Sequence, residues 1–474
     1  MPLIRPFRVQ VDVQAWTPTG SYHHTDLMGN LKTIRTQKTT NQSYGTFTLT
    51  FTMQEDSQGS WADKLPYRTY VEIRAGVQTP GVPPILMRGF VESPGQVLSM
   101  PSSPNGPARE VVVTGRDMGT ILTDWQILYL WGIDPMSTFL AASNSYVGGA
   151  LNANLGIDGT LTSPPKIIQA FFDQMVAGAV KNLQAMVSSS IPNITPIITL
   201  PAAYQMNLVA LQPWQGSWSN FLDYFTSPPW GESFIFDAPN APQFILRQTP
   251  YKEFTTGTYP LPFGDVGDNG FFPDVSLNAG DLTGHNLMIN GGSQLYTYYL
   301  TIPDLSSTQA KTNATWYYVT SAGAHINAPS ATSKDTNPAY STSIAEVRQA
   351  GSNPYYDVER AKLWGIRPLQ LTTPWIAVIN QIGTTIPALM NTWLVNVFQH
   401  NDRLVSGTIT CHGREDLTVG RYVVIQPGTI TTDPTPWEAY IESVSHDINL
   451  YSNNATWQTT LGVVRGRVRT KGEG

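Results

Sequence analysis

Polar and apolar residues alternate with a period of two along Phe7-Arg8-Val9-Gln10-Val11-Asp12-Val13. They do so again along Thr46-Phe47-Thr48-Leu49-Thr50-Phe51-Thr52, where Phe47, Leu49 and Phe51 share one face and the threonines the other. Half-buried antiparallel strands carry this pattern, because successive side chains of a strand point to opposite faces. Clusters of proline and glycine between residues 79 and 84 and between residues 100 and 107 mark turns. Residues 1–117 therefore read as a first β-barrel. After Asp117 the spacing changes. Ile167, Ile168, Phe171, Phe172, Met175 and Val176 recur every three to four residues and predict a helix. Trp214, Trp218, Phe221, Leu222 and Phe225 predict another, closed by Pro228-Pro229. Two apolar runs, Ser233-Phe234-Ile235-Phe236-Asp237 and Phe244-Ile245-Leu246-Arg247, flank an Ala238-Pro239-Asn240-Ala241-Pro242 turn and predict a hairpin. These elements make residues 118–252 a small α/β domain.

Strand-like segments return at Leu287-Met288-Ile289-Asn290 and Leu295-Tyr296-Thr297-Tyr298-Tyr299-Leu300-Thr301, where a second barrel is expected to open. That barrel is split, over 253–302 and 402–474. Residues 303–401 form an insertion that begins rich in Ser and Thr. It ends with Trp375, Ile376, Val378 and Ile379, then Leu389, Met390, Trp393 and Leu394, at helical spacings. The expected fold class is mainly β with α+β parts: two similar tube-like β-barrels, an intervening α/β domain and an inserted, partly helical domain.

The second barrel is expected because the two ends of the chain repeat each other in order. Gly45-Thr46-Phe47-Thr48 returns as Gly407-Thr408-Ile409-Thr410, and Tyr70-Val71-Glu72-Ile73 as Tyr422-Val423-Val424-Ile425. Phe90-Val91-Glu92-Ser93 returns as Tyr440-Ile441-Glu442-Ser443, and Val112-Val113-Thr114-Gly115-Arg116 as Val463-Val464-Arg465-Gly466-Arg467. The spacings support the match: Tyr70 to Phe90 is 20 residues against 18 from Tyr422 to Tyr440, and Phe90 to Val112 is 22 against 23 from Tyr440 to Val463. Two similar modules in one chain let three chains present six near-identical faces, which turns threefold assembly into pseudo-sixfold assembly.

Composition narrows the setting. A length of 474 residues accommodates three to four domains. Charged residues are 13% of the chain, below the roughly 25% of ordinary soluble domains. Few charges together with 13 Trp and 21 Tyr suit a protein packed against neighbours. A net charge of -6 argues against gripping nucleic acid. Only Arg465, Arg467, Arg469 and Lys471 form a basic cluster, read as a frayed end. The single Cys411 excludes an intrachain disulfide framework. Neither a signal peptide nor a spanning run of about 18 apolar residues is evident, so the chain reads as made and kept in a cytosol.

Candidate chemistry is sparse. In Ser445-His446-Asp447, neighbours on a strand point to opposite faces and cannot align as nucleophile, base and orienter. His23-His24 and the His400 and His412 pair lack further ligands at metal spacing. Asp265, Asp268 and Asn269 before Gly270 miss the calcium-loop spacing and read as a turn. Nothing places two of Glu92, Glu232, Glu346, Glu359 and Glu415 together as a hydrolase pair. Trp214 and Trp218 lie at i, i+4 beside Phe221 and Leu222, the pattern of a core-facing helix stripe and not of a sugar groove. No catalytic residue, metal or cofactor is expected. Glu92 with Arg116 and Glu442 with Arg467 occupy matching places in the two copies, as do Tyr70 and Tyr422. These six residues are the expected inter-barrel interface, against the plainer reading of a structural ion pair inside each barrel.

The run Glu110-Val111-Val112-Val113-Thr114-Gly115-Arg116-Asp117-Met118-Gly119 resembles the baseplate hub proteins of tailed phages, including those related to the late control gene D proteins. So do Trp437-Glu438-Ala439-Tyr440-Ile441-Glu442-Ser443-Val444-Ser445-His446 and Thr459-Thr460-Leu461-Gly462-Val463-Val464-Arg465-Gly466. The order of domains agrees, and the long insertion departs from the compact members. The resemblance implies a homotrimeric hub whose paired barrels form a pseudo-sixfold ring, joining a sixfold tail-tube protein ring to a threefold central spike or tip protein. It also implies contacts with tape-measure and baseplate wedge proteins, and a virion location after assembly in the host cytoplasm. Genomic DNA would pass through the lumen without specific binding, eased by an acidic lining that repels phosphate. Two rivals are a tail-tip peptidoglycan hydrolase and a receptor- or carbohydrate-binding tail protein; neither needs the duplication. If the six interface residues fix a ring, charge reversal at both Glu92 and Glu442 will dissociate the assembly, read as loss of the oligomer peak in size-exclusion chromatography.

Overall fold

The computed structural model describes residues 6–17, 20–24, 30–40, 42–52, 60–77, 81–99, 108–130, 164–200, 214–226, 228–260, 272–291, 294–303, 317–319, 325–327, 357–365, 367–373, 386–429, 435–450 and 455–469. Its first module comprises β1 (Phe7–Thr17), β2 (Gly20–His24), β3 (Leu31–Thr39), β4 (Thr46–Thr52), β5 (Tyr70–Val77), β6 (Ile85–Ser99) and β7 (Ala108–Asp117). These pair antiparallel in the order β3-β4-β7-β6-β5-β1-β2. The sheet rolls over its apolar face: Ile34 of β3 and Val11 and Val13 of β1, far apart in strand order, share one core with Phe47, Leu49, Phe51, Val71, Ile73, Val91, Val111 and Val113. The alternation seen in the sequence is what produces this, since Phe47, Leu49 and Phe51 of β4 and Val11, Val13 and Ala15 of β1 are buried at every second position.

The middle of the chain mixes helices with short strands. Helix α1 (Trp61–Lys64) belongs to the first module, and α2 (Thr120–Asp124) follows β7. Then come β8 (Gln126–Leu130), α3 (Pro164–Phe171), a π-helical turn (Phe172–Val176), α4 (Ala177–Met186), β9 (Thr195–Thr199), β10 (Trp214–Ser217) and α5 (Trp218–Asp223). The predicted hairpin is β11 (Gly231–Asp237) with β12 (Pro242–Gln248), and β9 adds parallel to β12. The helix stripes read from the sequence face inward, with Ile168, Phe171, Phe172, Val176, Trp218, Phe221, Leu222 and Phe225 in one core, except that Trp214 lies on β10 and the helix starts only at Trp218.

The second module takes β13 (Val275–Leu277) and β14 (Leu282–Ile289), then, after an excursion, β19 (Val405–His412), β20 (Tyr422–Ile425), β21 (Trp437–Asn449) and β22 (Thr456–Val468). The excursion carries β15 (Tyr298–Pro303), β16 (Tyr317–Val319), β17 (His325–Asn327), α6 (Val358–Trp364), β18 (Pro368–Thr373) and α7 (Ile386–Phe398). In α7, Trp393 and Leu394 are buried, whereas Trp375, Ile376, Val378 and Ile379 lie outside the described residues. One expectation is corrected. Leu287-Ile289 does belong to the second module, at the end of β14 and after β13, but Leu295-Thr301 does not: β15 pairs parallel with β18 in a separate two-stranded sheet. Its apolar composition satisfies that sheet as well as it would a barrel strand, so the sequence pattern did not separate the two.

The repeat is real at the level of hydrogen-bond register. In both modules the strand order is the same, β3-β4-β7-β6-β5 against β14-β19-β22-β21-β20. Tyr70 pairs with Phe90 as Tyr422 pairs with Tyr440. A β-bulge interrupts β6–β7 between Val91 and Ser93, and its counterpart interrupts β21–β22 between Ile441 and Ser443. Another interrupts β3–β4 between Leu31 and Thr33, and its counterpart interrupts β14–β19 between Leu282 and Gly284. Bulges re-aim strands at fixed positions. Their recurrence at matched places makes the modules copies in geometry as well as in order.

Register also corrects two alignments. The ladder equates Leu49 with Ile409, both facing β7-type partners (Val113 and Leu461), but it sets Phe47 against Gly407, two residues from the sequence match. A threonine-rich strand with a period of two tolerates that slip without changing its pattern. In the last strand Arg116 sits opposite Phe90, while Val464 sits opposite Tyr440. The counterpart of Arg116 is therefore Val464 and not Arg467; the shared Gly-Arg doublet had drawn the match three residues along.

Candidate functional site: the junction between the modules

The two sheets are one. Strand β21 pairs antiparallel with β3, from Ser443 opposite Thr39 to Asn449 opposite Thr33, so a single 13-stranded sheet runs through both modules. The ladder extends at each end, where the Thr40 N–H donates to the Glu442 carbonyl at 2.9 Å and the Leu450 N–H donates to the Lys32 carbonyl at 2.8 Å. Side chains follow the alternation. Ile34 and Ile448, opposite each other, are both buried in the first module's core, and next to them Arg35 bonds Asp447 at 2.8 Å in solvent. The exposed pair adds little stability; it marks the outer face.

The β11–β12 hairpin is wedged into this junction by buried charges. Lys38 on β3 reaches Asp237 at 2.6 Å, Asp117 at 3.2 Å and the Ile235 carbonyl at 3.1 Å. Arg88 on β6 donates to the Ala238 and Pro239 carbonyls, each at 2.7 Å, and to Glu72 at 3.1 Å. These bonds tie the hairpin's turn to the first module. The second module holds its body: the Tyr440 hydroxyl bonds the Glu232 carboxylate at 2.7 and 2.6 Å, and Arg247, opposite Glu232 across the hairpin, bonds Glu232 at 2.7 Å and the Gly420 carbonyl. Gly420 has φ +83, and a Cβ there would come within 2.5 Å of the Phe234 ring, so the close approach needs glycine. Burial pushes the Glu232 carboxyl up, opposed by Arg247. Burial, reinforced by Asp237 and opposed by Lys38, pushes Asp117 up to about 6.

The aromatic pairs repeat as well. Tyr70 and Phe90 stand 5.7 Å apart at 58°, and Tyr422 and Tyr440 stand 5.4 Å apart at 62°. Tyr70 and Phe90 join the core of the α/β region, while Tyr440 packs on Tyr251 and the Tyr422 hydroxyl accepts from the Lys252 N–H at 2.8 Å. Each module thus turns the same aromatic pair toward the intervening segment.

The six residues proposed from the sequence fall in different places. Tyr70 and Tyr422 are buried equivalents within their modules. Glu92 bonds Arg116 inside the first module, and Arg116 also approaches Asp124 at 3.5 Å. Arg467 pairs with Glu438, opposite it on β21. Glu442 meets the first module through its carbonyl. The supposed frayed end is corrected too: Arg465 and Arg467 are buried in β22, where Arg465 bonds the Val397 carbonyl at 2.6 Å and packs on Tyr251. Lys471 lies outside the described residues, as do Glu346 and the segment from Asp265 to Gly270. No sequence pattern singles out Lys38, Arg88, Asp237 or Arg247, and Glu232 stands in the sequence only as one of five scattered carboxylates.

His446, Asp447, Glu415 and Cys411 are occupied structurally. His446 is buried between Thr459 and Trp457, and burial pushes it down to about 4, so it is neutral; Asp447, on the other face, belongs to Arg35. Glu415 accepts from the Val77 N–H. Burial pushes the Cys411 thiol up to about 12. Among the described residues no three His, Cys, Asp or Glu side chains gather as a metal site, and no helix is long and apolar enough to cross a membrane.

No protein-family model matches the chain, and no curated protein does. Solved structures do. The chain is similar to the tail protein from Neisseria meningitidis MC58, with a TM-score of 0.44 and 11% identity over 96% of each chain. It is similar to the 43 kDa tail protein of prophage MuSo2 from Shewanella oneidensis, with a TM-score of 0.45 and 9% identity over 96% of this chain and 98% of that one. A chain of the half-lidded Francisella PdpA-VgrG complex is also similar, with a TM-score of 0.43 and 8% identity over 98% of this chain and 59% of that one.

Two outcomes test the wedge. Arg247→Met strands a buried carboxylate and is expected to cost about 3–5 kcal/mol in urea unfolding, with Glu232→Gln in the same chain recovering part of the loss. Asp117 titrates higher folded than unfolded, so its protonation stabilises the fold: the contribution is complete below about pH 4 and is lost as pH rises through about 6. Relative to Asp117→Asn, the parent protein should therefore gain about 2–3 kcal/mol between about pH 7 and pH 4, measured by unfolding at each pH.

Proposed function

We propose that this chain is a structural hub of a phage tail baseplate or tip. Three copies form a pseudo-sixfold ring that adapts the sixfold tail tube to a threefold spike or tip and leaves a channel for DNA. The observation that carries this reading is the junction itself: one polypeptide holds two modules of the same strand order and the same bulges, joined edge to edge through β3 and β21. A chain that contains one step between near-identical units needs only to repeat that step with its neighbours to make a ring, and three chains with two modules each supply six positions. The first module, within 1–117, and the split one, drawn from 253–302 and 402–474, line the ring. The α/β segment 118–252 is the wedge that sets the angle between them, and the insertion 303–401 projects to other tail proteins.

In this reading the protein works by assembly and not by turnover. Tyr70 and Tyr422 fix each module to its wedge, Glu442 marks the junction inside a chain, and Glu92 its counterpart at the junction between chains. Arg116 and Arg467 hold the strands that flank those points. The protein resides in the virion tail and acts beside the tube, spike, tape-measure and wedge proteins.

Native mass measurement of the purified protein, with low-resolution imaging, is expected to give three times the 52.1 kDa chain mass and a ring with a central pore. A monomer at all concentrations, or a twofold dimer, would overturn the reading. Peptidoglycan lysis or glycan binding by such a monomer would instead favour the rival roles.

A further inference from the structure

Among the open strand edges of the 13-stranded sheet in the described residues, two are copies of an edge used at the junction. On one edge β21 takes β20 along residues 437–440 and β3 along residues 443–449. Its copy β6 takes β5 along residues 85–90, while residues 93–99 pair with β7 alone. At the other end of the sheet, β14 pairs with β19 alone, although its copy β3 pairs with both β4 and β21.

From these two edges we infer an interaction surface for a second copy of this chain: the outer edge of β14 adds antiparallel to residues 93–99 of β6 in the neighbouring copy. The register is set by the junction. Matched ladders equate Ser443–Asn449 with residues 93–99 and Thr33–Thr39 with residues 284–290. Hence Ser93 faces the neighbour's Asn290, Gly95 its Met288, Val97 its Asn286 and Ser99 its Gly284. The Glu92 carbonyl takes the place of Glu442 and accepts from the Gly291 N–H.

Two features of β14 support this occupant. The Asn290 N–H donates inward to Leu404 on the β19 side, so by alternation His285, Leu287 and Ile289 direct their backbone groups to the open edge, as Ile34, Thr36 and Lys38 do in β3. Met288 and Ile289 are each 67% exposed on that edge. A bare strand edge with adjacent exposed apolar residues is a template for pairing with another chain. Pro94 stands where Val444 stands in β21, so the copied ladder has one N–H donor fewer. Proline is confined in sheets to edges and bulges, and Pro94 also sits just after a bulge. The contact is heterologous, so it closes only if the rotation per chain closes.

This inference rests on the ring reading and is tested apart from it. The full chain carrying Val97→Cys with Asn286→Cys places thiols at a non-hydrogen-bonded pair, whose spacing suits a disulfide. Mild oxidation should give covalent species up to three chains on a non-reducing gel. Neither single variant should do so, nor should Val97→Cys with His285→Cys, which sets the second thiol on the other face. On the unaltered background, Ile289→Lys should weaken association at least tenfold, with the thermal transition of the separated chain retained. A three-chain mass with no cross-link, or with cross-linking through the His285 variant, overturns this register and leaves the ring reading standing. A monomeric parent protein overturns both.

Discussion

Everything in this molecule hangs on the backbone ladder between β3 and β21. Its register has one solution, because a one-residue slip would turn Ile34 and Ile448 out to water and drive Arg35 and Asp447 into the core. Burying a charge without a partner costs far more than the exposed ion pair returns. The hydrophobic face of one module thereby dictates how the other attaches, and the attachment is continuous sheet, not two surfaces in loose contact. Domain interfaces built from side chains alone leave room for rotation; a shared hydrogen-bond ladder leaves far less.

The wedge shows a second constraint. Glu232, Arg247, Lys38, Asp117 and Asp237 are all at least largely buried, and each has a charged or hydrogen-bonding partner drawn from a different part of the chain. Such groups add little net stability compared with apolar packing, but they are costly to misplace. Their arrangement penalises any docking of the hairpin other than this one. Specificity of the angle between modules, more than its strength, is what the buried charges contribute.

Much of this was legible in the chain. Alternation located β1 and β4, and helical spacing located the Phe171 and Trp218 stripes. Spaced motif repeats located the duplication, with Tyr70 and Phe90 matched correctly to Tyr422 and Tyr440. Matching failed where the pattern is degenerate: a threonine ladder slides by two at no cost, and the Gly-Arg doublet misled by three. Arg465 and Arg467 read from composition as an exposed end, because composition near a terminus carries no information on burial. The Glu232–Arg247 pair was within reach, since the predicted turn around Pro239-Asn240 places the two residues opposite each other on the hairpin. Lys38 with Asp117 and Asp237 was not, because no local pattern joins residues brought together only by the fold.

The distance along the chain between the junction's two strands has a temporal side. Arg35 and Asp447 are 412 residues apart. At a synthesis rate of about 5–20 residues per second, β3 emerges roughly 20–80 s before the strand that covers it. During that interval the nascent polypeptide displays an uncapped edge on the ribosome, and the far module that would propagate the sheet does not yet exist. Completion of translation thus acts as a clock, withholding the finished double unit until both halves can meet.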